Sequence, residues 1–186
     1  VVNAARGIAV TVQSAVQQFA VNFQTALNPQ ITKTYASGEL DAMHTLICRS
    51  SKFTFMLLFC LSLPIMVETR FILNLWLGQV PDYTVSFIRL ILCICIIDAM
   101  ANPFMTAAAA TGKVKKYQLT VGSILLLIVP FSYLALRLGG VPESVFIVHL
   151  AIIIIAFTIR IVIIRSMINI SILYYLTKVI IPIMFI

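Results

Sequence analysis

Apolar residues in this chain form long runs that are almost free of charge, and charged residues collect between them. Four such runs lie at 53–77, 84–110, 118–137 and 143–165. Each matches the roughly 20 residues that a helix needs to cross the hydrocarbon core of a bilayer. The pattern therefore predicts an all-α integral membrane protein.

Weaker patterns stand at the two ends of the chain. Residues 1–27 predict a helix that closes at Asn28-Pro29, because proline disfavours helix interiors. Residues 169–178 predict an interfacial helix, and 179–186 predict the start of a further span. We expect about five complete spans plus the start of a sixth, in one incomplete transmembrane helical domain at 1–186, a fragment of a larger bundle.

The charge of the connecting segments alternates along the chain. One set, at 28–52, 111–117 and 160–178, holds nine lysines and arginines, namely Lys33, Arg49, Lys52, Lys113, Lys115, Lys116, Arg160, Arg165 and Lys178. The other set holds three, namely Arg70, Arg89 and Arg137. Because basic loops stay in the cytoplasm, the first set is predicted to be cytoplasmic and the first helix to run from outside to inside.

The first predicted helix carries a polar stripe. Arg6, Gln13, Gln17 and Gln24 are separated by 7, 4 and 7 residues. At 100° per residue they lie within about 40° of each other. The stripe extends roughly 27 Å, close to the hydrocarbon thickness of about 30 Å. Ala5, Ile8, Val12, Val16, Phe19 and Phe23 form the opposite, apolar face.

Three interpretations of this stripe are open. Polar groups at membrane depth face water or a bundle interior, which favours a water-lined cavity. A helix lying on the membrane surface is less favoured, because such helices carry lysines on the polar face and this one has none. The glutamines are also suited to joining two helices by hydrogen bonds.

Asp98 is the one charged residue between Leu90 and Thr111, so it is expected near the middle of its span. Asn102 and Thr106 follow at i+4 and i+8, on the same side of a regular helix. A relay for a proton or cation, a partner for Arg6 and a structural ion pair are the open interpretations. Arg160 is expected to extend its side chain towards the cytoplasm, although a cationic cavity is the alternative. Pro103 predicts a bend beside the carboxylate.

Composition narrows the function classes. The chain is 61% hydrophobic and 10% charged, which a soluble surface does not allow. The net charge of +7 is spread between apolar runs, so nucleic acid is not expected as a partner. We find no metal-ligand spacing, nucleotide-binding loop or catalytic set, and we expect no cofactor, no metal and no enzyme activity. His149, alone on an apolar helix, is expected to be packed.

Several segments, in consistent order, resemble bacterial polysaccharide (O-antigen) flippases. They are Asn3–Ala9 (NAARGIA), Phe23–Lys33 (FQTALNPQITK), Leu46–Phe53 (LICRSSKF), Pro64–Glu68 (PIMVE), Leu75–Leu77 (LWL) and Ala110–Lys113 (ATGK). The family belongs to the superfamily of multidrug, oligosaccharidyl-lipid and polysaccharide exporters. The resemblance implies a bundle of twelve to fourteen helices in two pseudo-symmetric halves, of which this chain is part of the amino-terminal half.

The resemblance also implies a function. Such proteins move an undecaprenyl-pyrophosphate-linked oligosaccharide across the bacterial inner membrane for lipopolysaccharide or polysaccharide export, by alternating access driven by an ion gradient. The expected substrate-binding residues are Arg6 for the pyrophosphate and Gln13, Gln17, Asn22 and Gln24 for the sugars. Asp98, with Asn102, is the expected site for a coupling cation, proton or sodium, or for a charge partner.

Other functions compete with this one. An ion-coupled multidrug or metabolite antiporter of the same superfamily would favour carboxylates in its cavity, and this chain has one intramembrane acid. A membrane-embedded enzyme of polysaccharide assembly would need a long outer loop. A structural subunit would not need a polar stripe through the membrane.

Overall fold

The computed structural model describes residues 2–185, and within that range the chain contains helices and no strand. The helices are α1 (Val2–Ala36), α2 (Leu40–Val67), α3 (Thr69–Leu77), α4 (Thr84–Met100), α5 (Asn102–Ala110), α6 (Val114–Leu126), α7 (Ile128–Arg137) and α8 (Ser144–Ile168). A last helix, Ile172–Met184, contains a π-helical turn at Leu176–Ile180. The prediction of an all-α chain is confirmed.

Four helices are long and apolar enough to cross a membrane, namely Leu40–Val67, Thr84–Ala110, Val114–Arg137 and Ser144–Ile168. They include α4 with α5, and α6 with α7, as interrupted spans. The predicted runs at 84–110, 118–137 and 143–165 therefore lie within a few residues of observed helices. The span predicted at 53–77 is instead divided at Glu68 between α2 and α3. A fifth span at α1, and the larger exporter bundle, stay predictions.

The predicted end of the first helix at Asn28-Pro29 is wrong, because α1 continues through Pro29 to Ala36. An interior proline costs about 3 kcal/mol in a helix. Beyond it, Ile31 is fully buried against Met43 and Ile47 of α2. Burying one such side chain contributes about 1.5–3 kcal/mol, so packing of the second half of α1 offsets much of the proline cost.

The polar stretch that follows is also more helical than expected. Residues 37–39 alone connect α1 to α2, and Gly38 takes a positive φ of 77° in this turn. Glycine adopts that backbone without steric strain, which allows a reversal of three residues. The structure does not separate an interfacial helix at 169–178 from a span at 179–186. Residues 172–178 and 179–184 belong to the last helix, residues 169–171 precede it, and residue 186 of the predicted span lies outside the described residues.

The packed interior is divided into two apolar clusters along the helix axes. One contains Ala5, Ala9 and Ala20 of α1 with Leu58 of α2 and Phe87 of α4. The other contains Ile31, Met43, Ile47, Phe104 and Tyr175. Buried polar side chains, namely Gln24, Ser50, Ser51 and Thr54, lie where the two clusters meet. This polar layer positions the candidate site.

Candidate polar site in the membrane

Gln24 joins four helices through one side chain that is only 4% exposed. Its Nε2 donates to Thr54 Oγ1 of α2 at 3.1 Å and to the carbonyl oxygen of Ala99 in α4 at 2.9 Å. Its Oε1 accepts from Asn102 Nδ2 of α5 at 2.7 Å. Both the donor nitrogen and the acceptor oxygen of the Gln24 amide therefore have hydrogen-bond partners, as a buried polar group requires.

The break between α4 and α5 explains why Gln24 is needed. In a continuous helix the Ala99 carbonyl would accept from residue 103, but Pro103 has no N–H. The next carbonyl, that of Met100, accepts instead from Ser51 Oγ at 2.9 Å. Side chains of α1 and α2 thus satisfy the carbonyls exposed by the break, as expected for broken helices in membranes. The helix is interrupted at Ala101, two residues before Pro103, where the bend was predicted.

A cleft of about 390 Å³ opens beside this layer, between α1 and α5. Its polar lining consists of Gln24, Thr25, Asn28, Asn102 and Thr106, which we call the amide cleft. Thr106 Oγ1 donates to Asn28 Oδ1 at 2.9 Å across it. The lining residues carry amides, hydroxyls and apolar groups and no charge. The amides and hydroxyls of this lining suit the hydroxyl groups of a neutral ligand, and Val21, Met105 and Ala109 provide an apolar wall beside them.

One face of α1 is exposed along its length and consists mostly of small and polar residues, with Val21, 41% exposed, among them. It comprises Asn3, Gly7, Thr11, Ser14, Gln18, Asn22 and Thr25, which we call the exposed polar face. It extends about 33 Å at 1.5 Å per residue. Thr25, at the carboxy-terminal end of this face, also lines the amide cleft. The two surfaces therefore form one continuous polar track.

Hydrogen bonds within α1 satisfy part of this face. Thr11 Oγ1 donates to the Gly7 carbonyl at 3.0 Å, and Ser14 Oγ to the Val10 carbonyl at 2.9 Å. Gln18 Nε2 donates to Asn22 Oδ1 at 3.0 Å. Each amide keeps donor or acceptor capacity beyond that single bond. The exposed polar face can therefore bind water or polar ligands.

The predicted stripe of Arg6, Gln13, Gln17 and Gln24 does not lie on this face. Gln24 is buried, Gln13 and Gln17 are half-buried, and Arg6 is exposed. The centre of the stripe lies about 50° from the centre of the packing face, so it borders the contact with α2 and α4. For Gln24 the structure corresponds to the helix-joining interpretation. Arg6, about 27 Å from Gln24 along the helix, cannot share a small site with it.

The predicted stripe borders the packing face of α1 because the residues that pack there are small. Ala5, Ala9 and Ala20 are fully buried, and small residues allow helix backbones to approach closely in membranes. Of the predicted apolar face, Ala5 and Val16 are buried in the contact and Ile8 and Val12 pack against it, whereas Phe19 remains 55% exposed. Sequence reasoning chose Asn22 but missed Thr11, Ser14, Gln18 and Thr25. Their spacing of three or four residues was the available signal.

Asp98 forms an ion pair with Arg160 of α8. Arg160 Nη1 donates to Asp98 Oδ1 at 2.7 Å, and the two side chains are 10% and 39% exposed. The ion-pair interpretation therefore describes this geometry, with Arg160 rather than Arg6 as the partner. The expectation that Arg160 extends to the cytoplasm is wrong, because the pair holds its side chain inside the bundle. His149 is half-buried on the same helix.

Asp98 and Asn102 contact different helices, contrary to the expectation that they share a side. Asp98 reaches α8, whereas Asn102 reaches Gln24 of α1. The turn at Ala101 changes the helical register between them. The two expected ion-coupling residues therefore have different hydrogen-bond partners, and Asn102 lines the amide cleft.

These features define a class of protein: an all-helical chain with four helices suited to crossing a membrane and a polar track beside them. Comparison with known proteins adds no family to that description. No family model matches the chain, and neither a curated protein nor a solved structure matches it.

Proposed function

We propose that the protein translocates an undecaprenyl-pyrophosphate-linked oligosaccharide across the bacterial cytoplasmic membrane by alternating access. The observation that carries the proposal is the polar track formed by the exposed polar face of α1 and the amide cleft. Lipid is a poor solvent for such a surface, because a polar group in hydrocarbon without a hydrogen-bond partner costs several kcal/mol. An aqueous substrate pathway satisfies it.

The chemistry of the track fits the sugar part of this substrate. Glycan hydroxyl groups both donate and accept, and amide and hydroxyl side chains match both roles. The amide cleft has no charged lining residue, which supports a neutral ligand there. Gln13 and Gln17 are half-buried at the edge of the packing face of α1. They would contact the substrate only after α1 moves against its neighbours.

The pyrophosphate requires a cation outside the amide cleft. Arg6 is exposed near the end of α1 that the charge distribution assigns to the outside. We assign it to the pyrophosphate as the substrate leaves. Asp98 is assigned to the coupling cation, because its side chain is partly exposed beside Arg160. A cation bound there would compete with Arg160 for the carboxylate and weaken the contact between α4 and α8.

A multidrug or metabolite antiporter is the second candidate, and one observation favours it. Asp98 is a partly exposed carboxylate inside a membrane-crossing helix, the type of group that binds a cationic drug. The uncharged lining of the amide cleft favours the glycan instead. Substrate-specific assays in cells separate the two functions.

The test is polysaccharide export in a strain that lacks the native gene and carries the full-length protein. The double variant Gln18→Leu with Asn22→Leu removes two exposed amides that contact each other and no other helix. We expect export to fall at least about tenfold at normal membrane abundance, with drug resistance unchanged. Val129→Leu, on an exposed apolar position of α7, is the matched control and should export normally. Normal export by the double variant would contradict the proposal.

A further inference from the structure

A long groove lies between α8 and the last helix, on the side of α8 away from the ion pair. One part has a volume of about 890 Å³ and lies near the end of α8, beside Arg165. A second part, about 370 Å³, continues along α8 towards Phe157. Val162, Ile172 and Leu176 line both parts, so the two cavities form one groove, which we call the α8 groove.

The two ends of the α8 groove differ in chemistry. Arg165, Asn169 and Ser171 line the end near the helix connection and provide a guanidinium, an amide and a hydroxyl. Phe157, Ile161 and Ile180 line the other end, where Thr158 is the one polar side chain and donates to the Ile154 carbonyl. The α8 groove is therefore polar and cationic at one end and apolar at the other.

The cation at the polar end is available to a ligand. Among residues 2–185 the one salt bridge is that of Asp98 with Arg160, so Arg165 has no carboxylate partner there. Asp41 lines an adjoining cavity, which shares Asn169 and Ser171 with the α8 groove but does not include Arg165. A negatively charged ligand group at Arg165 would gain a charge-assisted hydrogen bond.

The dimensions match one leaflet of a bilayer. From Phe157 to Asn169 the groove follows α8 for about 18 Å. Half of the hydrocarbon core, which is about 30 Å thick, measures about 15 Å. The polar end lies at the terminus of α8 that the charge distribution assigns to the cytoplasm, at the depth of lipid head groups.

We propose that the α8 groove binds an anionic phospholipid of the cytoplasmic leaflet. Its phosphate contacts Arg165, Asn169 and Ser171, and one acyl chain lies along Phe157, Ile161 and Ile180. Charge complementarity at one end and a continuous apolar wall at the other identify this occupant. The inference is independent of the transported substrate, because the amide cleft lies between α1 and α5 and shares no lining residue with the α8 groove.

The test is lipid binding to the purified full-length protein in detergent, measured by native mass spectrometry. Phosphatidylglycerol and diacylglycerol, which lacks the phosphate, are added in turn. One arginine near a membrane surface contributes enough for about a fivefold change in affinity. We expect Arg165→Gln to weaken phosphatidylglycerol binding by at least about fivefold and to leave diacylglycerol binding unchanged. Arg137→Gln, an exposed arginine at the far end of α7, is the charge control and should bind as the native protein does.

A second variant tests the groove rather than the charge. Val162 is 53% exposed and lines both parts, so Val162→Trp fills the groove without disturbing the packed interior. It should reduce retained phosphatidylglycerol at least about fivefold, whereas Val129→Trp on α7 should not. Equal binding of the two lipids, or unchanged binding in Arg165→Gln and Val162→Trp, would overturn the proposal. The latter result would indicate that another segment of protein covers the α8 groove.

Discussion

The surface of α1 and the surface of α6 with α7 are both exposed, but they have opposite chemistry. The exposed polar face of α1 consists of amides, hydroxyls and small residues. The interrupted helix Val114–Arg137 is the least buried of the four apolar helices, and its exposed side chains are large and apolar, including Leu126, Val129 and Phe131. Exposure alone therefore does not identify a lipid-facing surface. The chemistry of the exposed side chains does identify it.

The physical difference between the two faces is what each requires of its surroundings. Leucine and phenylalanine side chains are satisfied by lipid tails and need no protein partner. Amides are not, because hydrocarbon offers them no hydrogen bonds. The face of α6 and α7 is therefore suited to lipid, and the face of α1 to water, substrate or another polar surface.

A lysine placed on each face tests this difference with the largest expected effect. Val129→Lys on α7 should lower stable membrane abundance strongly, because a lysine at the centre of a membrane helix costs about 2.5–3.5 kcal/mol. Val10→Lys, beside the exposed polar face of α1, should be tolerated, because its ammonium reaches water. Quantitative immunoblotting of membrane fractions measures both. Equal loss in the two variants would show that both faces meet lipid.

The buried charges provide the next test. Asp98→Asn leaves the buried guanidinium of Arg160 without its partner, and we expect a loss of about 2–3 kcal/mol in stability. This is below the full value for a broken buried pair, because the Asp98 side chain is 39% exposed. The melting temperature in detergent should fall accordingly.

Two further variants serve as controls for that experiment. Arg6→Gln removes an exposed charge and should change the melting temperature little. The double variant Asp98→Asn with Arg160→Gln should recover part of the loss. A double variant as unstable as the sum of its single variants would show that the two residues do not interact.

Two glutamines of α1 provide the smallest and most closely matched comparison. Gln24→Leu leaves the Ala99 carbonyl and the Asn102 amide without their partner, and we expect about 2 kcal/mol of destabilisation. Gln18→Leu removes an exposed amide and should cost less than about 0.5 kcal/mol. Thermal unfolding of both variants measures the difference. Similar losses would mean that Gln18 has a buried partner in the intact protein.

The apolar helices were predictable from the sequence because their signal is local. A run of about 20 residues without charge specifies a membrane-crossing helix almost independently of its neighbours. The ends of α1 and α2 were not predictable in this way. Burial of Ile31 and Met43 in one cluster stabilises helical turns that a proline and several charges would otherwise disfavour. Because this packing joins two helices, no local pattern in the sequence indicates it.

The candidate site was predictable only in part, for the same reason. Periodicity identified polar positions on α1, but which of them pack depends on the alanines that contact α2 and α4. Asn102 was predicted as a site residue, but its contact with Gln24 was not. That contact depends on the position of Gln24, which binds the Ala99 carbonyl left free by Pro103. The Asp98 to Arg160 contact joins residues 62 positions apart, which no local pattern indicates.

Cysteine accessibility tests the aqueous pathway along α1 most directly. Starting from the full-length protein with its native cysteines replaced, single cysteines are introduced at Ser14, Gln18 and Asn22 of α1. Val129 and Tyr133 of α7, both exposed, receive cysteines as controls. A charged, membrane-impermeant thiol reagent should label the three α1 positions in intact membranes and leave both α7 positions unlabelled. Protection of all three α1 positions would contradict the account.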